Sequence, residues 1–178
     1  MKVAIYTLGC KVNQYETQAM EQELLARGHT LTEFSDEADA YIVNTCSVTA
    51  VSDQKSRQVI HGVQRKHPGA VVAVCGCYPQ IEAIDQPFER RVFEVLPAGG
   101  LGGRTRAMLK VEDGCVNFCT YCIIPYARGR VRSLPVPTAV EQTRALAAEG
   151  YREIVVTGIE ISSWGQDLKN GETLIDLL

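Results

Sequence analysis

Three cysteines lie within eight residues of one another, at Cys115, Cys119 and Cys122, and Pro125 follows closely. Because proline interrupts a helix, these thiols are predicted to lie on a loop. Three soft thiolate ligands select zinc, copper(I) or an iron–sulfur cluster over a hard cation. A structural zinc ion is coordinated by four protein ligands and has no open position. A four-iron cluster held by three thiolates instead keeps one iron open for a substrate. The alternative is a loop of buried or disulfide-bonded cysteines, which is uncommon in chains of the cytosolic type.

A second group of three cysteines is recognised by its position relative to the predicted strands. An apolar strand, a cysteine and a helix follow one another three times, with Cys10, Cys46 and Cys77 just past the strand each time. Strands that alternate with helices at this interval predict right-handed crossovers and a parallel sheet. The carboxyl ends of parallel strands share one edge, where ligands bind, so these three thiols are predicted to meet there.

Cysteine in an apolar strand is usually a small buried hydrophobic residue, and this is the alternative for each member of the second group. Recurrence at three equivalent turns favours ligands instead. Cys75 lies two residues before Cys77 at the same strand end. If the strand continues, both side chains point the same way, so periodicity does not choose between them.

The pattern of strands and helices predicts an α/β protein with two domains. Predicted strands cover residues 2–8, 30–34, 40–44, 70–74, 106–111 and 153–157. Predicted helices cover residues 13–27, 48–66, 79–84, 137–150 and 174–178, with Asn13 and Thr138 as N-caps. The first four strands predict an open parallel-sheet, Rossmann-like domain at 1–87, and the last two begin a (β/α) barrel at 105–178. The Gly-rich stretch within 88–104 predicts a linker.

The composition is that of an ordinary soluble globular protein, with 46% apolar residues and a formal net charge of −3. It has no overall basic character that would indicate nucleic-acid binding. No apolar run reaches the length of a membrane span, and the sequence opens on a predicted strand without a signal region. Seven cysteines, an odd number without a secretory context, favour a reducing compartment and metal or redox roles. We therefore expect a cytoplasmic protein.

Four motifs, in order along nearly the whole chain, resemble those of the radical-SAM tRNA methylthiotransferases. They lie at residues 7–16, 44–49, 76–78 and 114–132. This family has an N-terminal methylthiotransferase domain with an auxiliary four-iron cluster, a radical-SAM barrel and usually a small RNA-binding β-domain. Residues 8–16 are most similar to the subgroup that acts on threonylcarbamoyladenosine next to the anticodon. The sibling subgroups, which act on isopentenyladenosine at the same position or on an aspartate of a ribosomal protein, remain alternatives.

By this resemblance the chain uses two [4Fe-4S] clusters and S-adenosylmethionine (SAM) to methylthiolate C2 of N6-threonylcarbamoyladenosine at position 37 of tRNA. The implied ligands are Cys10, Cys46 and Cys77 for the auxiliary cluster, and Cys115, Cys119 and Cys122 for the SAM cluster. Cleavage of SAM is expected to give a 5′-deoxyadenosyl radical that activates C2, with sulfur supplied by the auxiliary cluster. Unreactive aromatic carbon needs cofactor chemistry, so no acid or base catalyst is assigned. The implied partners are tRNA, SAM and an electron donor such as flavodoxin or ferredoxin, with no membrane and no DNA.

Five further residues receive roles from the resemblance and from their charge. Tyr121, between two ligands, is expected to pack over the SAM adenine, with a plain apolar wall as the alternative. Glu160 lies where many radical-SAM enzymes place a glutamate that contacts the methionine amino group, and its alternative is a solvated loop acid. Arg128, Arg130 and Arg132 alternate on a segment that suits phosphate or the SAM carboxylate. The local basic excess predicts an RNA track in a chain that is acidic overall, unless these arginines form only a solvated face.

Two departures from the family predict a truncated member. Between residues 84 and 88 the family normally has a further strand, helix and linker, so the chain looks internally shortened. From residue 105 to the end there are 74 residues, whereas a whole eight-stranded barrel takes roughly 250. We therefore expect this polypeptide to lack robust methylthiotransferase activity. The competing class is a non-catalytic metal-binding or RNA-binding module, such as a zinc protein, but neither three-cysteine group has the fourth ligand that zinc requires.

Overall fold

A computed structural model describes residues 1–82, 93–97 and 105–178 of the chain. The chain divides into two compact units, Met1–Asp85 and Gln86–Leu178. Most of the predicted linker at 88–104 lies outside the described residues, so the predicted domain limits stay predictions. The end of the predicted helix at 79–84 lies outside them too. In the three described stretches no helix combines the length and the apolar character that crossing a membrane requires.

The first unit is built on four parallel strands in the order β2-β1-β3-β4. The strands are β1 Lys2–Thr7, β2 Thr30–Thr32, β3 Ala40–Thr45 and β4 Val71–Gly76. The helices are α1 Lys11–Ala26, α2 Ala50–Lys66 and α3 Cys77–Glu82. The predicted α/β class and open parallel sheet are therefore confirmed.

The inner strands supply the core of the first unit. Tyr41 and Val43 on β3 are fully buried, and so is Ala4 on β1. The Tyr41 hydroxyl donates to the Asp36 carbonyl at 2.7 Å and accepts from the Ala38 amide at 3.1 Å. These two bonds satisfy the polar end of an aromatic side chain inside the core. They also tie β3 to the segment that precedes it.

The second unit pairs β5 Arg106–Lys110 in parallel with β8 Glu153–Thr157. Two short strands, β6 Glu112–Asp113 and β7 Arg132–Ser133, pair in antiparallel fashion. The helices are α4 Ile124–Arg128, α5 Val136–Ala148 and α6 Leu174–Leu177, with a 3-10 helix at Ile161–Ser163. Strand, loop, helix and parallel strand follow one another as predicted for the start of a (β/α) barrel. The β6-β7 pair, which encloses the cysteine loop, is not predicted by the sequence pattern.

Trp164 lies in the core of the second unit. Its side chain is 3% exposed and packs with Leu109, Val111, Leu134 and Ala139. The indole Nε1 donates to the Leu134 carbonyl at 3.1 Å, so its only donor is satisfied in the apolar surroundings. This indole therefore fixes the chain after β8 against the chain after β7.

Two predicted helix caps are wrong. Helix α1 begins directly after its N-cap Cys10, and Asn13 lies fully buried in its first turn. Helix α5 begins directly after Pro135, so Thr138 lies inside the first turn and caps nothing. A second proline, Pro137, occupies that first turn, where proline's fixed backbone angle suits the helix and its missing N–H costs no bond. The prolines therefore set the start of α5 ahead of the threonine.

Candidate functional site

Cys10, Cys46 and Cys77, here called the sheet group, lie at the carboxyl edge of the four-stranded sheet. Cys10 caps α1 after β1, Cys46 follows β3 directly, and Cys77 is the first residue of α3 after β4. Cys46 and Cys77 are buried, whereas Cys10 is exposed. A Cβ at Gly9, whose φ is +107°, would lie 2.9 Å from the Cys46 sulfur, so only glycine allows the turn before Cys10 to pack there. Each thiol therefore follows a parallel strand, and its role as a ligand stays a prediction.

A buried amide network joins the ends of β1 and β3 beside the sheet group. Asn13 Nδ2 donates to the carbonyls of Leu8 and Thr45, both at 2.8 Å. Asn44 Nδ2 donates to the Asn13 carbonyl at 3.0 Å and to Thr17 Oγ1 at 3.1 Å. Both asparagines are essentially inaccessible to solvent. Because a buried polar group without its partner costs about 1–3 kcal/mol, the network strongly favours one geometry for these turns.

Cys75 differs from the sheet group in its surroundings. It belongs to β4, and its Sγ donates to the Val43 carbonyl at 3.8 Å. Gly76 follows at φ +87°, where a Cβ would collide with the backbone of β3, so the chain turns before Cys77 instead of continuing the strand. The condition under which Cys75 and Cys77 would point the same way is therefore not met. Burial, with a smaller contribution from the Glu16 charge, raises the pKa of the Cys75 thiol to about 11.

Cys115, Cys119 and Cys122, here called the loop group, lie on the predicted loop, between β6 and α4. Cys115 is buried, Cys122 is half-buried and Cys119 is exposed. The Cys115 amide donates to the Gly129 carbonyl at 3.0 Å, and the Cys122 amide donates to the Cys119 carbonyl at 2.9 Å. Gly114, at φ +89°, leaves no room for a Cβ against the backbone after α4. The two ends of the loop are thus held together.

The thiols fit an iron–sulfur cluster by their chemistry. All seven cysteines lie within the described residues, and none forms a disulfide. In the described stretches no three Cys, His, Asp or Glu side chains converge closely enough to hold one metal ion. The thiolates of a four-iron cluster bind different irons, so they need not meet at one point. The donor set of three thiols in each group therefore fits such a cluster.

A buried carboxylate at the base of the cysteine loop is shared by three cations. Asp113 lies 3.2 Å from Lys110 Nζ, Arg128 Nη1 and Arg132 Nη2. None of the four side chains is more than 11% exposed. Burial alone would raise the pKa of Asp113, but the charges of Arg128, Lys110 and Arg132 outweigh it and hold that pKa at about 2. The cluster joins β5, β6, α4 and β7 through one ionised group.

Two arginines of the predicted RNA track take part in these ion pairs. Arg128 and Arg132 both pair with Asp113, and Arg132 also donates to the carbonyls of Arg128 at 2.7 Å and Arg130 at 3.1 Å. Arg130 is the exposed member of the three. Removing one partner of a buried ion pair leaves an uncompensated charge, so Arg128 and Arg132 stabilise the base of the loop, and the RNA contacts of the three arginines stay a prediction.

Glu112 is fully buried and holds the turn after β8. Its Oε2 accepts from the amides of Ile159 at 2.7 Å and Glu160 at 2.8 Å. A Cβ at Gly158 would lie 2.7 Å from the same oxygen, so this turn approaches the carboxylate as closely as glycine permits. Among the described residues Oε1 has no hydrogen-bond partner. Burial raises the pKa of Glu112 to about 7, against the opposing effect of the Glu160 amide bond.

The two residues predicted to contact SAM differ in their surroundings. The Glu160 carboxylate accepts from Asn117 Nδ2 at 3.3 Å and from Ser162 Oγ at 2.5 Å. Because Asn117 belongs to the cysteine loop, the structure brings Glu160 to that loop. Tyr121 is 86% exposed, so it is not part of an apolar wall within the protein. The SAM contacts of both residues stay predictions.

Two family models match the chain in the order predicted from its motifs. Residues 2–95, more than half of the chain, match the model described as Uncharacterized protein family UPF0004. The chain belongs to this family. Residues 109–177 of this UPF0004 protein match the Radical SAM superfamily, and they include the whole loop group.

Curated relatives of this UPF0004 protein carry the names of tRNA-modifying enzymes. The chain is 38% identical over 205 residues to Threonylcarbamoyladenosine tRNA methylthiotransferase MtaB of Bacillus subtilis (strain 168), which covers 94% of the chain and 46% of that relative. It is 34% identical over 215 residues to the Aquifex aeolicus protein of the same name, at 100% and 52% coverage. It is 31% identical over 209 residues to tRNA-2-methylthio-N(6)-dimethylallyladenosine synthase of Staphylococcus haemolyticus, at 94% and 41% coverage. The predicted resemblance to methylthiotransferases is confirmed, and the chain spans about half the length of the curated relatives it matches.

The alignments also bear on the predicted internal shortening. The 205 aligned positions of the Bacillus subtilis relative outnumber the 178 residues of the UPF0004 protein. That relative therefore has insertions within the matched part, as the shortening predicts. The predicted place, between residues 84 and 88, lies outside the described residues.

Three site residues of the UPF0004 protein are missed by sequence reasoning. Asn13 fits the pattern of a helix cap, but it serves as the amide that ties β1 to β3. Glu112 and Asp113 form a pair of acids between a strand and the cysteine loop, in a segment that is otherwise basic. That contrast is the one sequence signal of their buried roles, because their burial and their partners depend on residues that are distant in the sequence.

Proposed function

We propose that this chain forms the cluster-binding part of a tRNA methylthiotransferase that acts on C2 of N6-threonylcarbamoyladenosine at position 37. The observation that carries the proposal is the arrangement of six cysteines in two groups, one past parallel strands and one on a closed loop. The names of the relatives support the reaction, and those of the Bacillus subtilis and Aquifex aeolicus proteins support this substrate.

Each cysteine group is proposed to hold one [4Fe-4S] cluster, the sheet group an auxiliary cluster and the loop group the cluster that binds SAM. When bound, the loop-group cluster supplies the electron for SAM cleavage after reduction by a donor such as flavodoxin or ferredoxin. The chain itself contributes geometry. The amide network of Asn13 and Asn44 fixes the turns of the sheet group, and the bond from Cys115 to Gly129 closes the loop.

Glu160 is proposed to hold the amino group of the SAM methionine. Its carboxylate lies within hydrogen-bond distance of Asn117 on the cysteine loop, and an ionised acceptor suits an ammonium donor. Glu112 fixes the Glu160 amide from the buried side, so Glu112 is a positioning residue in this proposal. Tyr121, exposed on the same loop, is proposed to cover the adenine.

Arg130 is proposed to be the member of the arginine series that meets tRNA. Arg128 and Arg132 are paired with Asp113, and they contribute by shaping the segment that presents Arg130. The proposed location is the cytoplasm, and the proposed partners are tRNA, SAM and the electron donor, without a membrane or DNA.

Iron and sulfide content after anaerobic reconstitution tests this function. We expect about eight irons per chain, about four when the loop group is changed to alanine, and about four when the sheet group is changed to alanine. Cys75→Ala is the matched control and is expected to keep about eight irons. Zinc in place of iron, or loss of all iron in either triple variant, would contradict two independent clusters.

A turnover assay tests the reaction and its substrate. The chain, with reductant and SAM, is given tRNA that carries either threonylcarbamoyladenosine or dimethylallyladenosine, and the methylthiolated nucleoside is measured by mass spectrometry. The second nucleoside is the alternative substrate, because the Staphylococcus haemolyticus relative is named for it. Methylthiolation of the threonylcarbamoyladenosine tRNA would support the proposed substrate, whereas product from the dimethylallyladenosine tRNA alone would contradict it.

A further inference from the structure

A charged pocket lies beside the cysteine loop in the second unit. Its volume is about 380 Å³, and its walls include Arg130, Arg132, Asp167, Lys169 and Val116. Val116 follows Cys115 directly, so the pocket adjoins the loop group. Three cationic side chains in one concave surface form a place where an anion gains from several positive charges at once.

The single carboxylate of the pocket is already engaged. Asp167 Oδ2 accepts from the Ser133 amide at 3.1 Å, and its Oδ1 accepts from Ser133 Oγ at 2.6 Å. The Gly165 amide donates to the same hydroxyl at 2.8 Å, so Ser133 ties the chain at 165–167 to β7. Asp167 thus fixes the wall of the pocket, and both its oxygens face donors of the protein.

The cations of the pocket differ in their exposure to solvent and in their ion pairs. Arg132 forms an ion pair with Asp113, which Lys110 and Arg128 also contact. Arg130 and Lys169 are exposed. In the described part of the chain no carboxylate forms an ion pair with Lys169. Its φ of +54° is uncommon for a residue other than glycine, and such strained residues cluster at binding sites.

We propose that this pocket binds a phosphate group of the RNA backbone, with Lys169 and Arg130 as the contacting cations. The inference rests on the proposed function, because it is the RNA substrate that brings phosphates to the cysteine loop. A phosphate accepts from several donors at once, which suits a pocket lined by an arginine and a lysine. Contacts of this kind fix the position of a nucleic acid without selecting its sequence, so the pocket would hold the strand while the base is presented to the loop.

Binding of a synthetic anticodon stem–loop RNA to the whole chain, followed by fluorescence anisotropy across a range of salt concentrations, tests the pocket. Lys169→Gln and Arg130→Gln are each expected to weaken the Kd by about three- to tenfold and to reduce the slope of log K against log salt by about 0.7–1. Arg144→Gln, an exposed cation on α5, is the matched control for loss of one charge and is expected to change neither. Lys169→Arg is expected to restore most of the affinity.

Three outcomes would overturn the proposal that the pocket binds an RNA phosphate. One is that the pocket variants and the control lose RNA affinity by the same factor, which would indicate that long-range charge alone attracts the RNA. Another is that AMP or inorganic phosphate binding, measured by calorimetry, depends on Lys169 while RNA binding does not, which would indicate a site for free phosphates. The third is that the chain binds no RNA. The iron content of the same preparations shows separately whether the proposed function stands, since a pocket that fails beside two intact clusters leaves that function in place.

Discussion

Glu112 gives the second unit a dependence of stability on pH that one substitution should remove. The folded carboxyl is fully buried, and burial raises its pKa to about 7 from an ordinary 4.5. One pKa unit corresponds to about 1.4 kcal/mol, so the difference between folded and unfolded chain amounts to about 3 kcal/mol. Glu112→Gln keeps an oxygen that accepts from the turn after β8, but it has no proton to release.

The direction of the effect follows from which state holds the proton more tightly. Between about pH 4.5 and pH 7 the unfolded chain has released this proton and the folded chain retains it, so the free energy of unfolding falls as the pH rises. The contribution of Glu112 is fully present below pH 4.5 and is lost as the pH rises through 7. Relative to the wild type, Glu112→Gln should therefore gain about 3 kcal/mol between about pH 4.5 and pH 8.

Urea unfolding at several pH values measures this gain. Trp164 is the single tryptophan and is buried in the same unit, so its fluorescence reports the unfolding of the part that contains Glu112. Glu141→Gln, on an exposed position of α5, controls for the loss of one carboxylate. If the profiles of Glu112→Gln and the wild type run parallel to within about 0.5 kcal/mol, the buried carboxyl does not hold its proton and the reasoning is refuted.

Other substitutions test the remaining contacts. Asp113→Asn leaves three cations without their carboxylate and should lower the free energy of unfolding in urea by about 3 kcal/mol or more; an unchanged value would mean that the cations find other partners. Asn13→Ala removes the amide donor from two carbonyls and should cost about 1–3 kcal/mol, with iron lost from the sheet group and kept by the loop group. Gly158→Ala places a Cβ against the Glu112 carboxylate and should cost about 1–3 kcal/mol. Gly62→Ala in α2, where nothing lies within 4 Å of the added Cβ, should instead raise the free energy of unfolding by up to about 1 kcal/mol. A stabilising Gly158→Ala or a destabilising Gly62→Ala would contradict the spacing around these two glycines.

The order of elements and the position of the cysteines are predictable from the sequence. Apolar runs mark β3 and β8 because strands buried in parallel sheets carry few polar residues. Their alternation with helices fixes a parallel arrangement, which places Cys10, Cys46 and Cys77 past the same ends of the strands. These predictions rest on periodicity in the local sequence and on the general rules for connecting strands and helices.

The contacts that shape the site depend on residues far apart in the chain, so they could not be predicted in the same way. Asn13 lies three residues after Cys10 and fits a cap, yet its amide bonds to Thr45 across 32 positions. Arg128 is buried because it meets Asp113, 15 residues earlier, and the spacing of arginines does not reveal which charge each one meets. Strands β6 and β7 have two residues each, which is too short for a periodic pattern.

The position of β4 divides the sheet group into two parts. Cys10 and Cys46 follow β1 and β3, which have neighbours on both sides, whereas Cys77 follows β4, the last strand of the described sheet. Local unfolding begins where the fewest bonds must break, so amide hydrogens of β4 should exchange with solvent before those of β3. Opening of this one strand would withdraw one thiol and leave the other two in position. The edge position of β4 therefore makes Cys77 the member of the sheet group that local opening is expected to displace first.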